Sequence, residues 1–426
     1  MKEIMNTIAQ FIKQNANADD FELFVMYNDT QNTRFAQNSI TQHITGDYIE
    51  VHYRCVKDKK VGTASTRQID EANLLETINK AETIAKSNSP DPDNVTSMSK
   101  EDYPKVQNYY QSIEKLNTEK MVDIAKKCIQ NAENKGAVLS GIVSKSIIDF
   151  LFVTKNGFEG YDKSSEVELS MTLRKDKIET KVSNSHKDFD RLDVDNILSQ
   201  LNGQFDSLGE IHDMDYETIP VILRPQAVIQ LFSYFNYFLY DRKAADDGLT
   251  PFTGMMNQKC FGEKFSFSSS ADDHDLYFRP FSKNNVHRTI EWVKNGVIKN
   301  MPTTRSWAQK HKLVPSNIFN FVFEGEGVPE KEMMKMVKRG LIINNLWYIR
   351  MNDQKTADMT GMTRDGVLYF EDGEVKHAVN NFRFNEQIVE ITKRILATGV
   401  STQQDVGVKV PAMLIDGFCF VDKTTF

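Results

Sequence analysis

The chain has 426 residues, of which 40% are hydrophobic and 26% charged, the balance of a soluble globular protein long enough for about two or three domains. Its 52 Lys and Arg against 59 Asp and Glu leave a formal charge of −7, which argues against a phosphate backbone held by bulk charge. Four cysteines, Cys55, Cys128, Cys260 and Cys419, lie far apart with no CxxC pair, which excludes a disulfide scaffold and points to a reducing compartment.

No apolar run reaches the ~18 residues of a membrane helix, and the first fifteen residues carry polar side chains every few positions, with no signal-like core. The expectation is a cytoplasmic protein without a membrane span. In chain order, Ile4, Met5, Ile8, Phe11 and Ile12 have the spacing of an amphipathic helix. Phe21 to Tyr27 reads as a strand, Ser39 to Cys55 as alternating strand, Lys57 to Lys60 as a hairpin turn and Val61 to Thr66 as the return strand. Asp70 opens a helix with Leu74, Leu75, Ile78, Ala81, Ile84 and Ala85 on its apolar face. Ser87 to Pro104 is a polar loop with three prolines, either a connection within one N-terminal unit or a mobile flap.

Thr118 to Asn134 is a second amphipathic helix with Gly136 placed to end it. Ala137 to Val153, Glu166 to Leu173 and Lys177 to Ser185 read as strands, with a hairpin signal at Asn156-Gly157. Asp193 caps a helix bearing Val194, Ile197, Leu198 and Leu201. The pattern changes after Ile219-Pro220, so residues 1–210 are expected to form an N-terminal α+β domain, with antiparallel strands and covering helices. Residues 211–426 are expected to form a C-terminal strand-rich domain, barrel-like or sandwich-like, with a buried helix at 226–241.

In that second half, Val221 to Leu223 is a short strand, followed by the longest run rich in apolar residues, Val228 to Tyr240. Val228, Ile229, Leu231, Phe232, Tyr234, Phe235, Phe238 and Leu239 surround this helix, and a helix apolar all round is buried. Strands are expected at Phe265 to Ser268, Leu276 to Phe281, Val286 to Val293, Val297 to Thr304 and Asn317 to Glu324, with Asn295-Gly296 as a hairpin turn. Pro329 at a first helical position and Gly340 just past the end bound a helix carrying Met333, Met336 and Val337. Leu341 to Arg350, Gly366 to Phe370 and Val375 to Val379 follow as strands, the last two joined at Asp372-Gly373. Asn385 caps a last helix with Ile388, Ile391, Ile395 and Leu396, and Lys409 to Ile415 and Phe418 to Val421 close the chain.

A zinc peptidase needs His and carboxylate or thiolate ligands at fixed spacing, plus a base for the attacking water. HExxH is absent, and no two of the eight histidines lie within five residues of each other. Asp272-Asp273-His274-Asp275 is the nearest approach to a metal cluster, without EF-hand spacing, and a polar loop is the simpler reading. There is no GxSxG elbow and no glycine-rich phosphate loop after a strand. Any cysteine could serve as a nucleophile, but none has a local context that marks it, so buried structural thiols are the ordinary reading.

The order of several segments resembles the TldD/TldE (PmbA) family, labelled modulators of DNA gyrase and classed as metallopeptidases. The segments are Arg34 to Lys86 with its Gly62-Thr63-Ala64-Ser65-Thr66 return, LTPFTG at Leu249 to Gly254, Thr289 to Leu313, Pro315 to Ile342 and Asp365 to Asn385. The resemblance implies that a catalytic D-type subunit would carry HExxxH and a later Cys ligand. Counted without gaps, those four roles fall here on Ser233, Tyr234, Phe238 and Gln403. Ser, Tyr, Phe and Gln cannot together hold Zn²⁺ or supply a carboxylate base. A shift of register does not help, because Arg224 to Cys260 contains no His and no Glu.

This departure matches the E-type (PmbA-like) members. The resemblance then implies a subunit with no catalytic residues and no metal or other cofactor of its own. Zinc would sit only in a D-type (TldD-like) metallopeptidase partner, and the pair would act in proteolysis or maturation of unfolded peptides. A homodimer is the other assembly left open. Two rival readings remain: a peptidase using His274 with Asp272, Asp273 and Asp275, and a gyrase- or DNA-associated binding protein, for which the acidic balance gives no direct support.

Overall fold

The computed structural model describes residues 1–424, and of residues 235–238 it describes the backbone only. The N-terminal half contains α1 (Lys2–Asn15), β1 (Asp20–Ala36), β2 (Ser39–Lys57), β3 (Lys60–Thr66), α2 (Glu71–Ser87), α3 (Thr118–Asn134), β4 (Val138–Thr154), β5 (Glu159–Lys175), β6 (Ile178–His186) and α4 (Val194–Leu208). The strands form one antiparallel sheet in the order β3-β2-β1-β4-β5-β6. The strands run longer than their apolar segments. β1 continues as strand through the polar stretch Asn28 to Arg34 because β2 and β4 pair with it on both sides and satisfy its backbone groups. Hairpin turns use left-handed residues where the chain reverses, such as Asp58 and Lys59 at φ 50° and 62°.

The period of two decides what the sheet buries. On one face, Leu23, Val25, Val51, Tyr53 and Leu151 meet Met5, Ile8 and Ile12 of α1 and Leu74 and Ile78 of α2. Further along the same face, Phe35, Val143, Leu169 and Met171 meet Met121, Ala125 and Ile129 of α3 and Ile197 and Leu201 of α4. Gly62 lets α2 approach closely, since a Cβ there would lie 1.9 Å from the Ala81 carbonyl oxygen. On the opposite face, Phe24, Phe150 and Phe152 pack with Phe158 and with Phe281 of the C-terminal half. The rest of that face is half-buried and mainly polar, with Asn28, Thr30, Asn32, Ser144, Ser146, Ser164, Glu166 and Glu168 beside Met26, Ile142 and Ile148.

The polar loop 87–104 is not free of its surroundings. Asp20 accepts from the Ser97 amide at 2.6 Å, the Thr154 hydroxyl donates to the Met98 carbonyl at 2.6 Å, and Arg54 donates to Asn94 at 2.7 Å. Arg288 of the other half donates to Glu101 at 3.0 Å. The segment is a strap across the sheet, not a flap.

The C-terminal half contains β7 (Ile211–His212), β8 (Thr218–Leu223), α5 (Pro225–Phe238), α6 (Arg242–Asp246), β9 (Phe267–Ser269), β10 (Ile290–Lys294), β11 (Val297–Ile298), α7 (Arg305–His311), β12 (Phe321–Phe323) and α8 (Glu330–Lys335). It continues with β13 (Arg339–Asp353), β14 (Asp358–Glu371), β15 (Glu374–Val379), β16 (Phe382–Gln387), α9 (Ile388–Lys393), β17 (Ile395–Thr398), β18 (Thr402–Asp405), β19 (Val408–Val410) and β20 (Met413–Lys423). The pairings β13-β8-β20-β16-β14-β13 close on themselves as a five-stranded barrel, antiparallel except at β8–β13. Of the barrel-like and sandwich-like alternatives, the barrel is the architecture found. Val221, Leu223, Leu341, Ile343 and Ile415 face one large core shared with α5 and the aromatic β9–β12 region. Ile222, Ile342, Leu368 and Leu414 face the other way, against Met333 and Met334 of α8 and Leu208 of α4.

Several local expectations differ. Leu276 to Phe281 forms no strand, because its backbone bonds elsewhere: Asn108 brackets Phe278 at 2.9 and 3.3 Å, and the Tyr277 amide donates to the Val406 carbonyl at 2.7 Å. Asn385 lies in β16 opposite Thr360, and the helix after it spans only Ile388 to Lys393, with Ile395 and Leu396 already in β17. Val297 to Thr304 is strand only at Val297–Ile298, and Thr304 instead caps α7 by accepting from the Trp307 amide at 3.4 Å. Pro329 is the cap of α8 and not its first residue, and Gly340 lies in β13. Among the described residues, no helix is long and apolar enough to cross a membrane.

Candidate functional site

Helix α5 starts at Pro225 directly after β8 and packs against β13, β18 and β19. Ala227, Val228, Leu231 and Phe232 are buried, as the spacing i, i+1, i+4, i+5 requires for one face. The other side is not. Ser233 is exposed, and Ile229, Gln230 and Tyr234 are half-buried. The helix therefore carries a buried face rather than a buried circumference, because its polar positions turn towards β13 and the surface.

That second side is tied down by polar contacts. Gln230 accepts from the Leu346 amide at 2.5 Å and donates to Asn345 at 3.2 Å, and the Tyr234 hydroxyl accepts from the Met351 amide at 3.3 Å. At the start of the helix, Arg224 makes a two-pronged bond to Glu330, both distances 2.8 Å, and donates to Asn344 at 2.7 Å. Asn345, 2% exposed, accepts from Gln230, but its side-chain amide nitrogen has no partner among the described residues.

Strand β18, with Gln403, lies against α5 and against β6 of the N-terminal sheet. Gln403 is half-buried and donates to the Ser185 carbonyl at 3.4 Å, with His186 as a second partner. Helix and strand thus meet at the level of elements, and the side chains on them are a hydroxyl at Ser233, a phenol at Tyr234 and an amide at Gln403. Phe238 lies outside the described side chains. This donor set does not fit zinc, which takes imidazole, thiolate or carboxylate ligands. Among the described residues no three His, Cys, Asp or Glu side chains converge as a metal site.

The acidic run Asp272 to Asp275 is pulled apart by its own partners. Asp275 is paired with Arg191, Asp273 with Lys409 at 3.1 Å, and Asp272 accepts from Thr289 at 2.9 Å, while His274 is exposed. Burial pushes the Cys55 and Cys260 thiols up to about 11 and Cys128 up to about 12, the wrong direction for a nucleophile.

The seam between the halves holds ionisable groups that the alternating pattern concealed. Lys187, 4% exposed, donates to the Gln107 and Leu276 carbonyls at 2.8 Å each, and burial pushes it down to about 8. Burial raises Asp162, beside Asn108 at 3.2 Å, to about 6. Burial also raises Glu166 to about 7, with repulsion from Asp405 and Glu168 added. In EVELS, Glu166 reads as a solvent-facing strand position, and only Asp405 at the end of the distant strand β18 reveals otherwise.

Residues 216–421 match the family model described as the PmbA/TldA metallopeptidase C-terminal domain. Three solved structures share the fold over nearly the whole chain. TldE from Thermococcus kodakarensis is 18% identical with a TM-score of 0.87, covering 98% of this chain and 100% of its own. A gyrase-modulator candidate from Thermotoga maritima is 15% identical with a TM-score of 0.86, covering 99% and 100%. A second one, from Bacteroides thetaiotaomicron, is 14% identical with a TM-score of 0.86, covering 99% and 98%. No curated protein matches the chain significantly in sequence. The barrel and its helix α5 therefore form a C-terminal domain of the PmbA/TldD metallopeptidase type, and the chain as a whole shares the fold of the TldE and gyrase-modulator structures.

Proposed function

We propose that this chain is an E-type, PmbA-like subunit without a metal centre of its own, acting beside a D-type metallopeptidase subunit on unfolded peptides. The observation that carries the reading is the chemistry of α5 and β18. Where a peptidase of this family would need ligands and a base, the chain presents Ser233, Tyr234 and Gln403, the latter two engaged with backbone groups of β13 and β6. Phe238 completes the set in sequence. The open polar face of the long sheet supports the second part. It offers hydroxyl, amide and carboxylate groups at half-buried positions, suited to the wall of a chamber that accepts extended peptide. The work is divided between residues 1–210, which supply that wall, and residues 211–426, which supply the degenerate peptidase domain. The setting is the cytoplasm.

Mixing purified chain with a relative that carries intact HExxxH tests this. Chelator-sensitive cleavage of an unfolded protein such as casein is expected in the mixture and not from the chain alone. Equal activity from the chain alone contradicts it.

A further inference from the structure

A cavity of about 620 Å³ opens where β6 of the N-terminal sheet meets β14 and β15 of the C-terminal half. Asp365 lines it at 7% exposure, and the Glu179 carboxyl reaches across the seam to hydrogen-bond with it. Asp365 is held there by a bulge. Its φ is 59°, Gly366 follows at 102°, and the β13–β14 register slips between Ile343 and Asn345. A Cβ on Gly366 would lie 2.6 Å from Leu208 of α4, so the bulge is packed into place.

The nearest cation, Arg364, makes only long ion pairs with the two carboxyls. Arg364 stands 3.7 Å from Glu179 and 3.6 Å from Asp365, too far to hydrogen-bond, and its guanidinium lies over the Trp347 ring at 4.3 Å. Lys181 acts on Asp365 at longer range, and Arg174, Lys177, Asp176, His212 and Asp213 line the remainder. The hydroxyl of Thr424, a residue of the same lining, is buried and has no partner among the described residues. Leu208, Ile211, Val367 and Val379 supply an apolar wall.

We propose that this cavity binds one organic cation, an ammonium or guanidinium group, against the hydrogen-bonded Glu179–Asp365 pair, with the Thr424 hydroxyl as a further acceptor and the apolar wall along its aliphatic stem. Two carboxylates fall short of the oxygen cage a divalent metal takes, whereas they match the donors of a basic side chain or amino terminus. Burial and Glu179 push the Asp365 carboxyl up to about 6, so an arriving cation displaces a proton to solvent. The proposal stands whether or not the chain pairs with a peptidase.

Titration calorimetry on the full chain near pH 6 tests it, with argininamide, N-acetyl-argininamide and alaninamide as cations and N-acetyl-citrullinamide as the neutral control. Saturable binding of argininamide with proton release is expected, read as a heat that changes with the buffer's ionisation enthalpy. N-acetyl-argininamide binding assigns the guanidinium, and alaninamide binding assigns the ammonium. Glu179→Gln, at a half-exposed strand position that tolerates an isostere, and Asp365→Asn should each weaken binding about tenfold or more. Cations that bind no better than the neutral control, or variants that bind as the native chain does, overturn it.

Discussion

The two halves of the chain bury their cores by different routes. In the N-terminal sheet, β1–β2, β2–β3, β4–β5 and β5–β6 are hairpin neighbours, and only β1–β4 reaches across the sequence. In the barrel, β8 pairs with β13 and β20, and β16 with β20, so closure depends on segments far apart in the chain. The first half takes its stability from long ladders under four helices. The second depends on a few aromatic anchors, Trp292, Phe265, Phe267 and Phe323 among them, that join short strands to α5. The difference teaches that closure of the second half hangs on single core positions, while the first half rests on long local ladders and on the close approach of α2 at Gly62.

Trp292→Ala should produce the largest loss. The ring is fully buried, and its N–H donates to Ser269 at 2.9 Å. The expected cost is ~3–5 kcal/mol in urea unfolding; a cost under ~1 kcal/mol would remove the anchor account. Gly62→Ala comes next. Its Cβ would press on the backbone oxygen of Ala81, so α2 must shift, at ~1–3 kcal/mol by the same measurement. Asp70→Ala removes the cap that accepts from the Asn73 amide at 3.1 Å and should lower the unfolding midpoint by less than Gly62→Ala does. If the capped helix frays first, hydrogen exchange will rise at α2 and not at α3.

The smallest effect is expected at the seam, where solvent screens a half-exposed group. Glu166 keeps its proton up to about pH 7 in the folded chain, above the ordinary carboxylate range of the unfolded one. The native state therefore binds more protons across that window, so this contribution is present at acid pH and lost as pH rises towards 7. Glu166→Gln should flatten the thermal midpoint against pH between about 4.5 and 7, and an unchanged slope would place the titration elsewhere.

Legibility followed the same divide. Asp70, Asp193 and the Asp58-Lys59 turn act locally, and the structure places each where the sequence pattern does. Leu276 to Phe281 carries strand-like residues, yet its backbone is claimed by Asn108 and Val406, which no local pattern reports. The apolar run at α5 was legible as a helix, but its exposed Ser233 depends on which neighbours cover it. For the candidate site, the sequence names Ser233, Tyr234, Phe238 and Gln403 by counting, and the structure brings α5 and β18 together as elements. The Glu179–Asp365 pair was not legible, since a bulge and a domain seam bring the two carboxyls together.

The central claim is that α5 and β18 hold no metal. Elemental analysis of the purified chain, after equilibration with zinc and removal of the excess, tests this most directly. The account predicts no stoichiometric zinc and no chelator-sensitive peptidase activity. One tightly held zinc per chain, lost together with activity on chelation, would contradict it.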